Sequence, residues 1–218
     1  MMCKMVLDYI KKMKGLNIMG ENFSKKAYEL FETHSKKNIG TWIERSQNVA
    51  EVAKRIAGQI GLDEDKAYTL GLLYDIGRVY GNTGVRHTID GYNFLKEQGY
   101  EEEIARICIT HAFITKDVKN TIGEADYTDD EYNFLEEYLA GVEYDTYDKL
   151  IQLADSMAIP TGIVLLETRI IDVCLRYGMD EDACNNVKGI FKIKEELEEK
   201  LGYSIYKLFP EIAENIGK

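Results

Sequence analysis

Two aspartates lie beside apolar segments, where a carboxylate is unfavourable to bury. Asp75 follows the segment 71–74, Gly-Leu-Leu-Tyr, and Asp155 lies within the apolar stretch 151–158. A buried carboxylate requires a cation, hydrogen-bond donors or a metal ion. Two such aspartates from distant segments therefore suggest a shared cation site. Spacing alone favours the alternative, in which both residues cap helices or pair with arginines.

Histidine is scarce, with His34, His87 and His111 as its three occurrences. His34 stands in the polar sequence Glu-Thr-His-Ser-Lys-Lys and is expected at the surface. His87 and His111 each begin or end a segment with apolar periodicity and have charged residues nearby. Imidazole together with carboxylate suits iron(II), manganese or zinc. A single histidine is more often structural, so both interpretations stay open at this point.

The spacing of apolar residues is helical along most of the chain, and no strand pattern competes with it. An N-cap at Asp63 and stops at Gly61 and Gly77 punctuate the second and third helices. The helical patterns cover 22–36, 41–60, 64–76, 87–98, 101–113, 129–139, 146–158, 162–177, 181–199 and 203–215. The sequence therefore predicts an all-α fold.

The domain organisation predicted is a single helical bundle with additions at both ends. Residues 1–40 would form an N-terminal helical extension, 41–160 the core, and 161–218 C-terminal helices packed on that core. The stretches 77–86, 115–128 and 141–148 are expected to be loops, the second being a candidate lid. The C-terminal third, 162–215, has apolar periodicity and could cap the bundle or form a homodimer face. Its apolar residues are expected more often in the core than at an interface; they are Val164, Leu165, Ile170, Ile171 and Leu175.

Composition restricts the partners and the compartment. The net charge of −11 disfavours nucleic acid, because an acidic protein repels the phosphate backbone. A small phosphorylated partner stays compatible where a divalent cation reverses the local field. We expect no membrane segment, since no run of about 18 apolar residues occurs. Lysines interrupt the N-terminus, which argues against a signal peptide, and four scattered cysteines without CxxC spacing are typical of a reduced, cytoplasmic protein.

Five segments in series resemble the HD superfamily, in order and in spacing, across roughly residues 41–158. They are Arg45-Ser46-x-Asn48-Val49-Ala50, Gly71-Leu72-Leu73-Tyr74-Asp75-Ile76-Gly77-Arg78, Arg86-His87-Thr88-Ile89-Asp90-Gly91-Tyr92, Ile109-Thr110-His111 and Leu153-Ala154-Asp155. The resemblance implies an HD-domain-like helical bundle that binds one or two divalent metals. It also implies hydrolysis of phosphate esters of nucleotides or related small molecules.

Two positions depart from the family pattern. The first segment of such proteins usually begins with His, and the central motif reads His-Asp, whereas this chain has Arg45 and Tyr74. The primary metal site implied by the resemblance thus retains only Asp75 and Asp155. The secondary set implied by it, Asp75 with His87 and His111, is intact.

Two hypotheses follow from these replacements. Arginine cannot ligate a metal, since it stays protonated and offers no lone pair. In the first hypothesis Arg45 pairs with Asp75 or Asp155 and substitutes for the lost cation. In the second, one metal remains at Asp75, His87 and His111, with water at its open positions. Tyr74 is expected to pack in the core with its hydroxyl facing the pocket.

The resemblance implies a metal-dependent phosphohydrolase as the first of two functions. Its catalytic residues would be Asp75 and Asp155, and its divalent metal (Fe, Mn, Zn or Mg) would bind at Asp75, His87, His111 and Asp155. By their charge, four basic residues could bind the phosphate oxygens, namely Arg45, Arg78, Arg86 and Lys149. The alternative for each of the four is a solvated surface charge. The second function is a degenerate HD-fold protein that binds or senses a ligand without hydrolysing it. The two lost ligands support this second interpretation, in which the metal is absent.

Overall fold

A computed structural model of the protein describes residues 24–120 and 124–215, and these are mainly helical. Residues 24–34 form α1. The later α-helices are Trp42–Ile60 (α2), Glu64–Leu73 (α3), His87–Glu97 (α4), Glu102–Ala105 (α5), Ile107–Thr110 (α6), Asp129–Gly141 (α7), Thr146–Met157 (α8), Leu166–Tyr177 (α9) and Glu181–Leu201 (α10). Short 3-10 helices cover Ser35–Lys37, Ile76–Tyr80, Ile205–Leu208 and Pro210–Asn215. The prediction of an all-α fold is confirmed.

The core forms where α2 packs against α3 and α8. Val49, Val52, Ala53, Ile56 and Ala57 of α2 are all fully buried. They recur at the spacing of one helix face, which explains why α2 presents a continuous apolar stripe to its neighbours. The prediction of a helix over 41–60 is confirmed to within one residue.

Helix ends in this core follow from local chemistry. The Asp63 side chain accepts a hydrogen bond from the Lys66 backbone N–H at 2.9 Å, which satisfies one free donor of α3. Gly61 ends α2 in the left-handed region, with φ 75°, a conformation that glycine adopts without steric cost. The N-cap at Asp63 and the stop at Gly61 are thus both confirmed.

Several predicted boundaries were wrong. The third helix ends at Leu73 instead of running to Gly77, and the loop expected at 77–86 begins with the 3-10 helix Ile76–Tyr80. Segment 101–113 contains the two short helices α5 and α6, and 203–215 is 3-10 rather than α-helical. These segments bury apolar residues but lack a long run of helical hydrogen bonds, a distinction that apolar periodicity does not make.

A small antiparallel hairpin was missed by the sequence prediction. Strands Ala158–Ile159 (β1) and Gly162–Ile163 (β2) pair, with Ala158 opposite Ile163. Each strand has two residues, too short to show an alternating pattern. Because the hairpin extends to Ile163, the next helix, α9, begins at Leu166 and not at residue 162 as predicted.

The C-terminal helices are only partly buried. Within α9, Leu166 is the buried residue, while Ile171 and Leu175 are 59% and 83% exposed. The expectation that these two residues are core was therefore wrong, and their role in a homodimer stays a prediction.

The N-terminal part of the predicted extension, 1–23, lies outside the described residues, as do Cys3 and the interrupting lysines. Cys108, Cys174 and Cys184 are free thiols. Within 24–120 and 124–215, none of the helices combines the length and the apolar character needed to cross a membrane.

The contact of α2 with α3 depends on Gly71. A Cβ added there would lie 2.7 Å from Ala50 Cα, a backbone atom that cannot move aside. We predict that Gly71→Ala lowers the free energy of unfolding by about 1–3 kcal/mol, measured by urea denaturation.

Gly141→Ala is the matched control, because a Cβ at that helical glycine meets nothing within 4 Å among the described residues. It should leave stability unchanged or raise it by up to about 1 kcal/mol. Equal stability of Gly71→Ala and the unmodified protein would contradict the packing described.

Candidate metal centre

Asp75, His87 and His111 form the one group of potential metal ligands found among the described residues. One ligand atom from each lies within 4.8 Å of the other two. All three side chains are buried. They come from the turn after α3, the first residue of α4 and the residue after α6. We call this group the metal centre.

Gly77 brings the first two of these ligands together. A Cβ at position 77 would overlap the carbonyl oxygen of His87 and approach the backbone nitrogen of Gly91 to 2.5 Å. Only a glycine lets the 3-10 helix Ile76–Tyr80 lie directly on the first turns of α4. Asp75, two residues before Gly77, is thereby held next to His87.

Hydrogen bonds to backbone carbonyls fix the orientation of both imidazoles. Nδ1 of His87 faces the carbonyl oxygen of Gly84, and Nδ1 of His111 lies 3.0 Å from the carbonyl oxygen of Ile107. A carbonyl only accepts, so each Nδ1 carries a proton and donates it. In a neutral ring of this orientation the lone pair is on Nε2, as is usual for metal-bound histidines; that of His87 faces Arg78 Nη2 at 3.5 Å.

The Asp75 carboxylate is charged and incompletely satisfied. Its Oδ1 lies 2.9 Å from Arg78 Nε and 3.0 Å from His87 Nε2. Its Oδ2 is buried and accepts no hydrogen bond from any described residue. Burial alone would raise the pKa of Asp75, but Arg78, His87 and His111 together hold it well below its usual range.

His111 is neutral at physiological pH. Burial lowers its pKa to about 4, and the nearby Asp75 charge only partly opposes this effect. The Nε2 atom of His87 lies 3.0 Å from Asp75 Oδ1 and 3.5 Å from Arg78 Nη2. The imidazoles of His87 and His111 and the carboxylate of Asp75 form a set of donors that fits a divalent metal.

Asp155 lies apart from this convergence and is paired with Arg45. The Arg45 Nη2 atom is 2.6 Å from Asp155 Oδ1, and Asp155 is not in the group of ligand atoms found among the described residues. Burial alone would lower the pKa of Arg45, but Asp155 raises it above its usual value. The structure therefore does not bring Asp155 to the metal centre, because a fixed guanidinium already holds its carboxylate.

Tyr74 packs where the motif of the resembling proteins has a histidine. Its ring is fully buried and meets the His111 ring edge-to-face, with centroids 4.8 Å apart. Burial raises the pKa of Tyr74 well above its usual value, so the hydroxyl stays protonated and is a poor metal ligand. The residue lines the cavity described below.

A cavity of about 460 Å³ opens onto the metal centre, within the usual range for small-molecule sites. Of the four basic residues predicted to bind phosphate, Arg45 and Arg78 line it. The other two, Arg86 and Lys149, are not among the described residues that line the cavity. Arg86 pairs with Glu131 at 3.3 Å and Lys149 pairs with Glu196. Acidic neighbours thus hold these two side chains outside the cavity.

Two arginines of the cavity were missed. Arg169 and Arg176 come from α9 and line the cavity. Asp172 lies 2.7 Å and 2.6 Å from them, respectively, and holds both. Burial and the nearby Arg45 lower the pKa of Arg169. Their spacing of seven residues, two helix turns, was the available signal that they share a face.

Comparison with known proteins supports the assignment of the fold. Ribonuclease Y of Fervidobacterium nodosum is 34% identical over 82 residues, which cover 37% of this chain. The same match covers only 15% of that relative's length. No solved structure matches the chain.

The family comparison covers more of the chain. The profile of one family, the HD domain, matches residues 42–159, more than half of the sequence. That range contains the metal centre together with Arg45, Tyr74 and Asp155. The chain therefore belongs to the HD-domain family, within the metal-dependent phosphohydrolase superfamily.

Proposed function

We propose that this protein is a metal-dependent phosphohydrolase that acts on a small phosphorylated molecule, with one divalent metal at Asp75, His87 and His111. One observation carries the proposal. One ligand atom each from Asp75, His87 and His111 lies within 4.8 Å of the other two, and all three residues line a ligand-sized cavity. Iron, manganese and zinc suit these donors best.

The cavity residues fit a phosphate ester. A metal bound there would supply Lewis acidity toward a phosphoryl oxygen and lower the pKa of a water. Arg78 lies at the metal centre, and Arg45 and Arg169 face the same cavity. Guanidinium groups bind phosphate oxygens through paired hydrogen bonds. These three arginines would hold and orient the phosphate beside the metal centre.

Asp155 is the residue we assign to proton transfer. It lines the same cavity, and its carboxylate is the acidic group nearest Arg45. It would accept the proton of the attacking water while Arg45 binds a phosphate oxygen. This role replaces the one predicted for it as a metal ligand.

A second candidate function is ligand binding without hydrolysis. The Arg45–Asp155 ion pair favours it, because this pair stands where the resemblance placed the primary metal. An arginine supplies fixed charge but cannot polarise a phosphoryl group as a metal does. The intact second ligand set places hydrolysis ahead of this alternative.

Nucleic acid is the less favoured substrate class. The relative is named as a ribonuclease, but the match covers only 15% of that protein's length. The net charge of −11 opposes binding of a polyanionic backbone. A cavity of about 460 Å³ suits a small ligand better than a polymer.

Removing one metal ligand tests this proposal. Protein purified without chelator should carry about one equivalent of iron, manganese or zinc and hydrolyse an aryl phosphate in added manganese. In His111→Ala both properties should fall at least about 100-fold, since a ligand contributes more than the groups that orient it. Elemental analysis and a phosphate-release assay measure the two effects.

His34→Ala is the matched control, because His34 packs against Phe94 outside the cavity. It should retain both metal and activity. Metal-free, inactive protein before any substitution would instead favour the non-hydrolytic alternative.

Restoring the family's histidines tests the ion-pair substitution. We predict that Arg45→His combined with Tyr74→His raises the metal content from about one to about two equivalents, because Asp155 is released and two imidazoles are added. Elemental analysis measures the change. The control is Arg86→His, at an arginine outside the cavity, which should leave the metal content unchanged. If the metal content of the double variant is also unchanged, Arg45 and Tyr74 do not occupy the primary metal site.

A further inference from the structure

Two buried amide side chains in the cavity wall have unused acceptors. Gln152 of α8 is 1% exposed and Asn186 of α10 is 3% exposed, and both line the cavity. Gln152 Oε1 and Asn186 Oδ1 are buried and receive no hydrogen bond from any described residue. Neither residue belongs to the metal centre or to the arginines that surround it.

The orientation of each amide is fixed by its nitrogen. Gln152 Nε2 donates to the backbone carbonyl of Thr110 at 2.7 Å, and Asn186 Nδ2 donates to the backbone carbonyl of Asn120. Flipping either amide would place two acceptors against each other. The free atoms are therefore oxygens, which can only accept hydrogen bonds.

These two amide oxygens would not bind a phosphate group, but they could accept hydrogen bonds from the organic group of a phosphate ester. Phosphate oxygens are themselves acceptors, so the two amide oxygens would repel them. A buried acceptor without a partner is unfavourable, and occupied sites normally supply the donor. The arginines and the metal centre attract the phosphate, which leaves Gln152 and Asn186 to contact the remainder of the ligand.

Resting on the proposed function, we infer that the substrate is a phosphate ester whose organic group donates hydrogen bonds to Gln152 Oε1 and Asn186 Oδ1. Hydroxyl groups of a sugar and amino groups of a base share this chemistry. Val173 and Val187, which also line the cavity, would pack against the carbon skeleton. Gln152 and Asn186 are thus specificity-determining residues.

The first test uses the unmodified protein and three probes in added manganese: phenyl phosphate, ribose 5-phosphate and adenosine monophosphate. Phenyl phosphate has no donor on its organic group. A site that hydrogen-bonds a hydroxyl or amino group rejects analogues without it. We expect kcat/KM for at least one of the two donor-bearing probes to be about tenfold higher, or more, than for phenyl phosphate. The probe that is preferred shows whether the donors come from a sugar or from a base.

The second test uses a variant and its neighbour. Asn186→Leu should reduce the ratio of kcat/KM for the preferred probe over phenyl phosphate by about tenfold or more. Asn185→Leu, at an amide of the same helix that does not line the described cavity, should leave the ratio unchanged. An equal loss for both probes in Asn186→Leu would show a structural role and overturn the inference.

The failure of this inference is distinguishable from failure of the proposed function. Hydrolysis of phenyl phosphate as fast as both other probes overturns the inference and leaves the proposed function intact. If no probe is hydrolysed, the proposed function fails, and calorimetric binding of the same three probes decides the inference. Tighter binding of a donor-bearing probe supports it, whereas equal binding of all three overturns it.

Discussion

The buried Asp75 carboxylate is the constraint on which the rest of this site depends. A charge that is 1% exposed is tolerated only if positive groups or donors surround it. Arg78 and His87 both contact the same oxygen, and the second oxygen has no partner among the described residues. The close approach permitted by Gly77 holds His87 next to Asp75.

The two aspartates of this HD domain have different partners. At Asp155 the cation is the guanidinium of Arg45, permanent and covalently attached. At Asp75 the remaining donor set suits an exchangeable metal. A guanidinium can hold a carboxylate in an ion pair, yet it offers no coordination position to a substrate or water. The Arg45 replacement can therefore preserve the architecture of the site while removing one Lewis acid.

The sequence predicted the metal centre better than it predicted the remainder of the cavity. Asp75, His87 and His111 were found because motif order fixes which segments converge. Arg86 and Lys149 were assigned to phosphate binding by charge alone, and charge does not tell which way a side chain points. Acidic neighbours at 131 and 196 direct both of them away from the cavity.

The remaining wall of the cavity depends on tertiary packing that local patterns do not contain. Helices α9 and α10 were predicted as helices, but apolar periodicity did not tell which residues of each would line the cavity. That Arg169, Gln152 and Asn186 line the same cavity is visible only in the folded chain. Apolar periodicity also placed Ile171 and Leu175 in the core, although both are exposed.

The most direct measurement is anomalous diffraction from crystals of the protein grown with zinc. The account predicts one anomalous peak at about 2.0–2.2 Å from Nε2 of His87, Nε2 of His111 and a carboxylate oxygen of Asp75. The Arg45–Asp155 ion pair should be intact beside it. Two results would contradict the account. One is a crystal that contains zinc but has no anomalous peak at this position, and the other is a peak at Asp155 with the Arg45 side chain displaced.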